Sequence, residues 1–207
     1  MRSFKLIGIT GPTGAGKSTI TEYLKSKGCY AIDADKLGRM SLEKGSDCLV
    51  QACAVFGDDI LNSDGTLNRQ LLAKRAFSTP ENTQKLNNIT HPWITMQVIK
   101  AVDEIRSKDE NPIILFDAAV LLESKMDVLC DYVIAVVAPV EIRRERIINR
   151  DNLTKENADI RIKAQNSNDF YTERADFVID GSLSMEEIYL NADKTLENIM
   201  HRSIIGR

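Results

Sequence analysis

Gly11-Pro12-Thr13-Gly14-Ala15-Gly16-Lys17-Ser18 is the stretch on which the reading of this chain turns. It matches the pattern G-x-x-x-x-G-K-[ST] and has the flanks the pattern requires. An apolar run over residues 4–10 reads as a buried strand, and residues 18–27 read as a helix stopped by Gly28. Glycines let successive backbone N–H groups turn toward phosphate oxygens, and the helix that follows presents its positive end. Gly11, Thr13, Gly14, Ala15, Gly16, Lys17, Ser18 and Thr19 are therefore the expected contacts to a nucleoside triphosphate. Lys17 would reach the β- and γ-phosphates, and Ser18 can ligate Mg2+. A glycine-rich turn can also merely join strand to helix, but the Lys-Ser pair and the flanks favour phosphate binding.

Working outward, further strand-like runs lie at residues 30–32, 113–116, 132–137 and 177–179, separated by long polar or helix-patterned stretches. Nearly continuous apolar strands alternating with helices indicate a parallel sheet covered on both faces. Residues 33–112 separate the second run from the third, too many for one crossover helix, so a helical insertion is expected there. Within it, Thr79-Pro80-Glu81 and His91-Pro92 read as helix starts with proline first, and Asp64-Gly65 as a turn. Ile94, Val98, Ala101, Val102 and Ile105 repeat at helical spacing until Asn111-Pro112. Residues 141–165 are rich in charge and suit a helix pair standing off the core, and Ser184-x-x-Glu187 is a capping box opening a last helix through Ile188, Ala192, Leu196 and Ile199.

The 207 residues suffice for one domain with insertions, and 43% apolar with 28% charged residues is the composition of an ordinary globular chain, which excludes disordered and fibrous classes. A net charge of −3 argues against a general nucleic-acid binder. The longest apolar runs fall far short of the ~20 residues that span a bilayer, and the N-terminus carries no signal-peptide pattern, so a cytoplasmic enzyme is expected. Cys29, Cys48, Cys53 and Cys130 form no C-x-x-C pair, and His91 and His201 are too few to complete a metal site with them. The cysteines read as reduced, buried or half-buried thiols.

A P-loop alone does not distinguish a kinase from a GTPase, a motor or a passive binder. The guanine-reading N-K-x-D pattern is absent. Asp33 and Asp35 follow the second strand, at the edge where open α/β sheets bind ligands, and a carboxylate there can accept a proton from a substrate hydroxyl; the alternative for Asp33 is a helix cap. Asp117 ends the third strand, where an acidic residue positions Mg2+ in P-loop enzymes, unless it serves the turn. Arg143, Arg146 and Arg150 share one helix face, and Arg161 and Gln165 are four apart. Arginines closing from a lid would stabilise a transferring phosphoryl group, whereas Glu141, Glu145 and Asp159 could pair with them on an ordinary solvated helix.

Beyond the P-loop, several elements fall in the order and spacing of the dephospho-CoA kinases. They are Ile32-Asp33-Ala34-Asp35, Asp64-Gly65-x-Leu67-Asn68-Arg69, Leu86-Asn87-x-Ile89-x-His91-Pro92, Asp117, Arg146-x-x-x-Arg150, Arg161-Ile162-x-x-Gln165 and Ala175-Asp176-Phe177-Val178-Ile179-Asp180. The chain resembles that family over nearly its whole length. The resemblance implies a P-loop three-layer α/β/α fold with a five-stranded parallel sheet. Its core would take in residues 1–35, 112–140 and 166–207, a helical substrate-binding insertion residues 36–111, and a helical lid residues 141–165. It implies transfer of a phosphoryl group from ATP, with Mg2+, to the ribose 3′-hydroxyl of dephospho-CoA by a monomer or weak homo-oligomer that engages neither nucleic acid nor membrane. Asp33 would be the base, with Lys17 and Arg146 the phosphoryl-stabilising cations. Arg150 would touch ATP, and Asp35, Arg69, His91, Asp117 and Arg161 would face the acceptor; Ser18 and Asp117 would hold the metal. The alternatives are another small-molecule P-loop kinase, such as a nucleoside monophosphate kinase, or a nucleotide-gated regulatory binder. Three positions depart from the family pattern: Pro12 replaces a glycine and offers no N–H, Ala118-Ala119 stand where Val-Pro is usual, and Gly181 stands where the family usually has Asn.

Overall fold

The computed structural model describes residues 4–201. Among these, β1 (Lys5–Thr10), β2 (Tyr30–Asp33), β3 (Ile113–Asp117), β4 (Tyr132–Val137) and β5 (Phe177–Asp180) form one five-stranded parallel sheet in the order β2-β3-β1-β4-β5. Each coincides with an apolar run read from the sequence. Central strands need apolar side chains on both faces, and β1 and β4 are buried at five of their six positions. The register sets the site: Ile9 pairs with Asp117 and Thr10 with Ala135, so the ends of β3 and β4 arrive beside the exit of β1.

Two compact units divide the chain. The first takes residues 1–32 and 105–207 and carries the sheet, whose layers make a three-layer α/β/α architecture. On one face α1 (Lys17–Ser26) and α9 (Met185–His201) pack Ile20, Leu24, Ile188, Ala192 and Ile199 onto Ile7, Ile9, Leu115, Ile134 and Val136. Ser184 and Glu187 bond reciprocally at the start of α9, as the capping box requires. α6 (Val140–Asp151) and α7 (Lys155–Lys163) close a small cluster of their own around Ile147, Ala158 and Ile162, and the short α8 (Asn168–Thr172) buries Tyr171.

The second unit, residues 33–104, is helical. It holds α2 (Ala34–Ser41), α3 (Asp47–Phe56), α4 (Arg69–Ala76) and nearly all of α5 (Pro80–Arg106), with a core of Leu42, Cys48, Ala52, Phe56, Ile60, Leu72, Ala76 and Ile89. One expectation fails here. Pro80 does open a helix, but His91-Pro92 does not: α5 runs through Pro92 without a break. An interior proline removes one backbone bond and costs about 3 kcal/mol. Ile89 and Thr90 before it and Ile94, Val98 and Val102 after it are all buried, so continuity keeps one apolar stripe inside and offsets the cost. No helix among the described residues is long and apolar enough to cross a membrane.

Candidate active site

The loop from Gly11 to Gly16 leaves β1 in a backbone conformation that only glycine tolerates at three points, with φ of 141° at Gly11, 79° at Gly14 and 105° at Gly16. Gly11 also has the carbonyl of Val136 where a Cβ would stand. Within the loop the Ala15 N–H donates to the Pro12 carbonyl (3.2 Å) and Thr13 N–H to the Oε1 of Gln165 (2.9 Å). Among the described residues, the N–H groups of Gly14, Gly16, Lys17 and Ser18 make no hydrogen bond, so the donors expected to meet phosphate are open. Gly16 is the N-cap of α1 and supplies no side-chain cap, which leaves the helix's positive end to an anion.

Lys17 points across to β3. Its Nζ donates to Oδ1 of Asp117, and Oδ2 of Asp117 accepts from the hydroxyl of Thr21 at 2.9 Å. The lysine and carboxylate side chains are 19% and 17% exposed, so the pair is partly shielded yet reachable from solvent. Thr21 lies one turn beyond Lys17 and its hydroxyl also lies 3.2 Å from the Lys17 carbonyl. Sequence reading overlooks this threonine, because a hydroxyl inside a helix carries no pattern; its place one turn after the P-loop lysine is the only signal.

The arginines of α6 separate into different roles. Arg146 donates from Nη1 to the carbonyls of Gly14 (3.2 Å) and Ala15 (3.3 Å) and from Nη2 to that of Gly181 (2.8 Å), bridging the P-loop and the turn after β5. Arg143 is only 2% exposed. Its Nε donates to the Thr13 carbonyl (3.0 Å) and its Nη2 to Gln165 Oε1 (3.2 Å). Burial pulls its guanidinium pKa down, opposed by the nearby Tyr171. Arg150 forks onto Asp151 with two 2.8 Å bonds, reaches the Thr13 hydroxyl at 3.5 Å, and shares Asp151 with Arg161 at 2.5 Å. The hydrogen bonds from Arg150, with the charges of Arg150 and Arg161, bring the Asp151 carboxyl down to about 2. Asp159, weighed above as a partner for this face, pairs with Arg144 at 2.5 Å.

Gly181 is buried, and a Cβ there would run into the Ala15 carbonyl. Its departure from the family's usual Asn thus accompanies a close approach of the β5 turn to the P-loop. Nearby, Asp180 is occupied by the N–H (2.8 Å) and hydroxyl (2.5 Å) of Ser182.

The remaining sequence candidates belong to the second unit. Asp33 is the N-cap of α2, its Oδ1 accepting the N–H of Lys36 at 2.8 Å, and the side chain is exposed. Asp35 stands in the first turn of the same helix. Arg69 opens α4 behind the Asn68 cap and donates to the Arg39 carbonyl at 3.3 Å. His91 is half-buried in α5, and desolvation lowers its pKa.

As to a metal, Ser18 offers an exposed hydroxyl at the head of α1 and Asp117 one carboxylate. No cluster of three or more His, Cys, Asp or Glu side chains suited to a metal occurs among the described residues. Two hard oxygen donors with room for water and phosphate fit Mg2+ carried in with a nucleotide, and do not fit a tightly caged resident ion.

A glycine-rich loop with open amides, its lysine turned to a strand-end carboxylate, is nucleotide-binding geometry, and comparison with known proteins names the kind. The family model for dephospho-CoA kinase matches residues 5–187. The chain belongs to the dephospho-CoA kinase family. It is 35% identical to the dephospho-CoA kinase of Fusobacterium nucleatum over 197 residues, covering 95% of this chain and 100% of that one. With the dephospho-CoA kinase of Listeria innocua it shares 39% identity over 183 residues, 88% of this chain and 91% of the other. Among solved structures it is similar to dephospho-CoA kinase from Campylobacter jejuni, with a TM-score of 0.66, 25% identity, and coverage of 95% and 97% of the two chains.

Proposed function

We propose that this protein transfers the γ-phosphoryl group of ATP to the ribose 3′-hydroxyl of dephospho-CoA, giving CoA and ADP, the last step of coenzyme A biosynthesis. The observation that carries the reading is the set of open amides of Gly14, Gly16, Lys17 and Ser18 beside the Lys17–Asp117 pair, in a chain of the dephospho-CoA kinase family. The amides and the positive end of α1 take the phosphate oxygens, and Lys17 exchanges its carboxylate for the β- and γ-phosphates as the nucleotide enters. Mg2+ accompanying the nucleotide would be held by Ser18 and Asp117 and would neutralise charge on the phosphates.

In this reading Arg146 adds charge at the transferring group, a role its anchoring to the Gly14 and Ala15 carbonyls supports. Arg150 and Arg161, gathered on Asp151, are the further cations of a lid formed by α6 and α7, with Arg150 on ATP and Arg161 toward the acceptor. Asp33, at the carboxyl end of β2, accepts the proton of the 3′-hydroxyl as the phosphoryl group arrives in line; one of its oxygens caps α2 and the other is left for that task. The helical unit is the acceptor-binding part, where Asp35, Arg69 and His91 form the substrate-side wall. The enzyme acts in the cytoplasm as a monomer or weak homo-oligomer.

The test is incubation with Mg-ATP and, separately, dephospho-CoA, AMP, CMP and GMP, followed by mass analysis. A single added phosphate on dephospho-CoA alone is expected. Phosphorylation of a nucleoside monophosphate in its place would convert the reading to a nucleotide kinase.

A further inference from the structure

The backbone of Thr13 is held at both its N–H and its carbonyl. Its N–H donates to Gln165 Oε1 at 2.9 Å, its carbonyl accepts from Arg143 Nε at 3.0 Å, and Arg143 Nη2 closes the ring by donating to the same Gln165 oxygen at 3.2 Å. The next residue, Gly14, rests on the backbone of Arg143, whose carbonyl lies 2.7 Å from where a Cβ would stand. A neighbouring set continues the chain of contacts: Glu123 accepts from the Tyr171 hydroxyl (2.7 Å) and from the side chain of Asn166 (3.1 Å), the residue after Gln165. Gln165 itself is tied to the end of α7 through its N–H on the Ile162 carbonyl at 3.1 Å.

We propose that Gln165 is a positioning residue for phosphoryl transfer: it fixes the Thr13 peptide, and with it the direction of the phosphate-facing amides that follow. This rests on the nucleotide reading given above. Pro12 has no N–H and the Thr13 N–H is turned to Gln165, so neither of these two positions offers phosphate a backbone donor. The donor set therefore begins at Gly14. Glycine-rich loops lose more backbone freedom on ordering than any others, and a loop held in advance gives up less at nucleotide binding. A single amide oxygen that accepts from both the loop backbone and a buried guanidinium does that holding. Because Gln165 follows α7, the loop is also joined to the helix that carries Arg161.

Gln165→Met keeps the length of the side chain and removes the acceptor; Gln165→Glu keeps an acceptor oxygen, with its charge met by Arg143. Three quantities separate positioning from mere support: the Kd for Mg-ADP by calorimetry, the exchange rate of the Thr13 amide by NMR, and the KM for dephospho-CoA. Losing a hydrogen bond of this kind should weaken Mg-ADP binding about tenfold and speed Thr13 amide exchange about tenfold in Gln165→Met. The KM for dephospho-CoA should stay within about twofold, and Gln165→Glu should recover both of the other quantities to within about threefold of wild type. Should Gln165→Met fail to fold, Gln165→Asn, which draws the acceptor back by one methylene, carries the same comparison. Wild-type ADP affinity and Thr13 exchange in the variant lacking the acceptor overturn the proposal, as does a Gln165→Glu protein no better than Gln165→Met. A wild-type protein that binds ADP but leaves dephospho-CoA unphosphorylated would sink the substrate reading instead, with the ADP and amide results still deciding the role of Gln165.

Discussion

Replacing Thr21 by valine removes one hydroxyl and keeps the β-branched shape, so its consequence can be worked out from the contacts of a single atom. The hydroxyl donates to Asp117 Oδ2 at 2.9 Å, and Thr21 is buried. A hydrogen bond to a charged acceptor contributes ~1.5–3 kcal/mol. With Asp117 17% exposed, water can replace part of the lost bond, which puts the cost at the lower end, about 1.5 kcal/mol. For a chain of this length that lowers Tm by about 3–6 °C. The carboxylate, left with Lys17 alone, loses its fixed orientation, and kcat/KM for ATP should fall about tenfold, the rate equivalent of a similar energy. Scanning calorimetry and steady-state kinetics on Thr21→Val measure both. A Tm and kcat/KM indistinguishable from wild type would refute the claim that Thr21 aims Asp117.

Four further outcomes are expected. Gly181→Ala sets a methyl group against the Ala15 carbonyl, so Mg-ADP affinity should fall at least about tenfold in titration calorimetry, through displacement of the P-loop. Thr10, fully buried at the foot of the loop, has a hydroxyl with no hydrogen-bond partner among the described residues, and Thr10→Val should raise stability by about 1 kcal/mol in a denaturant titration. Asp151 titrates near 2, below its ordinary value, so the pairing with Arg150 and Arg161 stabilises the protein fully above about pH 4 and is lost as pH falls through about 2; carboxyl NMR titration should show this, and Arg150→Ala should move the midpoint up. Asp33→Asn should lower turnover on the order of 10²–10⁴ with ATP affinity unchanged, at the low end if transfer is loose, and Asp35→Asn should be milder; steady-state kinetics that reverse the order would exchange their roles.

The sheet was legible because its central strands are buried on both faces: residues 132–137 are apolar without interruption and could be little else. The P-loop was legible because its glycines answer a backbone requirement that no other residue meets. The site around the loop was legible only in part. Arg143, Arg146 and Arg150 share a face by spacing, but spacing does not say what that face meets. Arg143 is sealed against Thr13 and Gln165, whereas Arg150 is exposed on Asp151. Contacts between residues 130 or more apart, such as Arg143 with Thr13, leave no periodic trace. His91-Pro92 misled for the opposite reason, a strong local signal overridden by the apolar stripe of α5. At Asp33 the cap reading and the catalytic reading stood side by side, and the cap is seen directly.

The central claim is that the acceptor is the 3′-hydroxyl of dephospho-CoA. The most direct test is kcat/KM at saturating Mg-ATP for dephospho-CoA, its 3′-deoxy analogue and AMP, with ³¹P NMR of the product. Dephospho-CoA should be phosphorylated at the 3′ position, the 3′-deoxy analogue should give no product, and AMP should be poorer by at least about 10³, since it lacks the pantetheine portion whose binding serves the transition state. Product from the 3′-deoxy analogue, or comparable kcat/KM for AMP, would contradict the account.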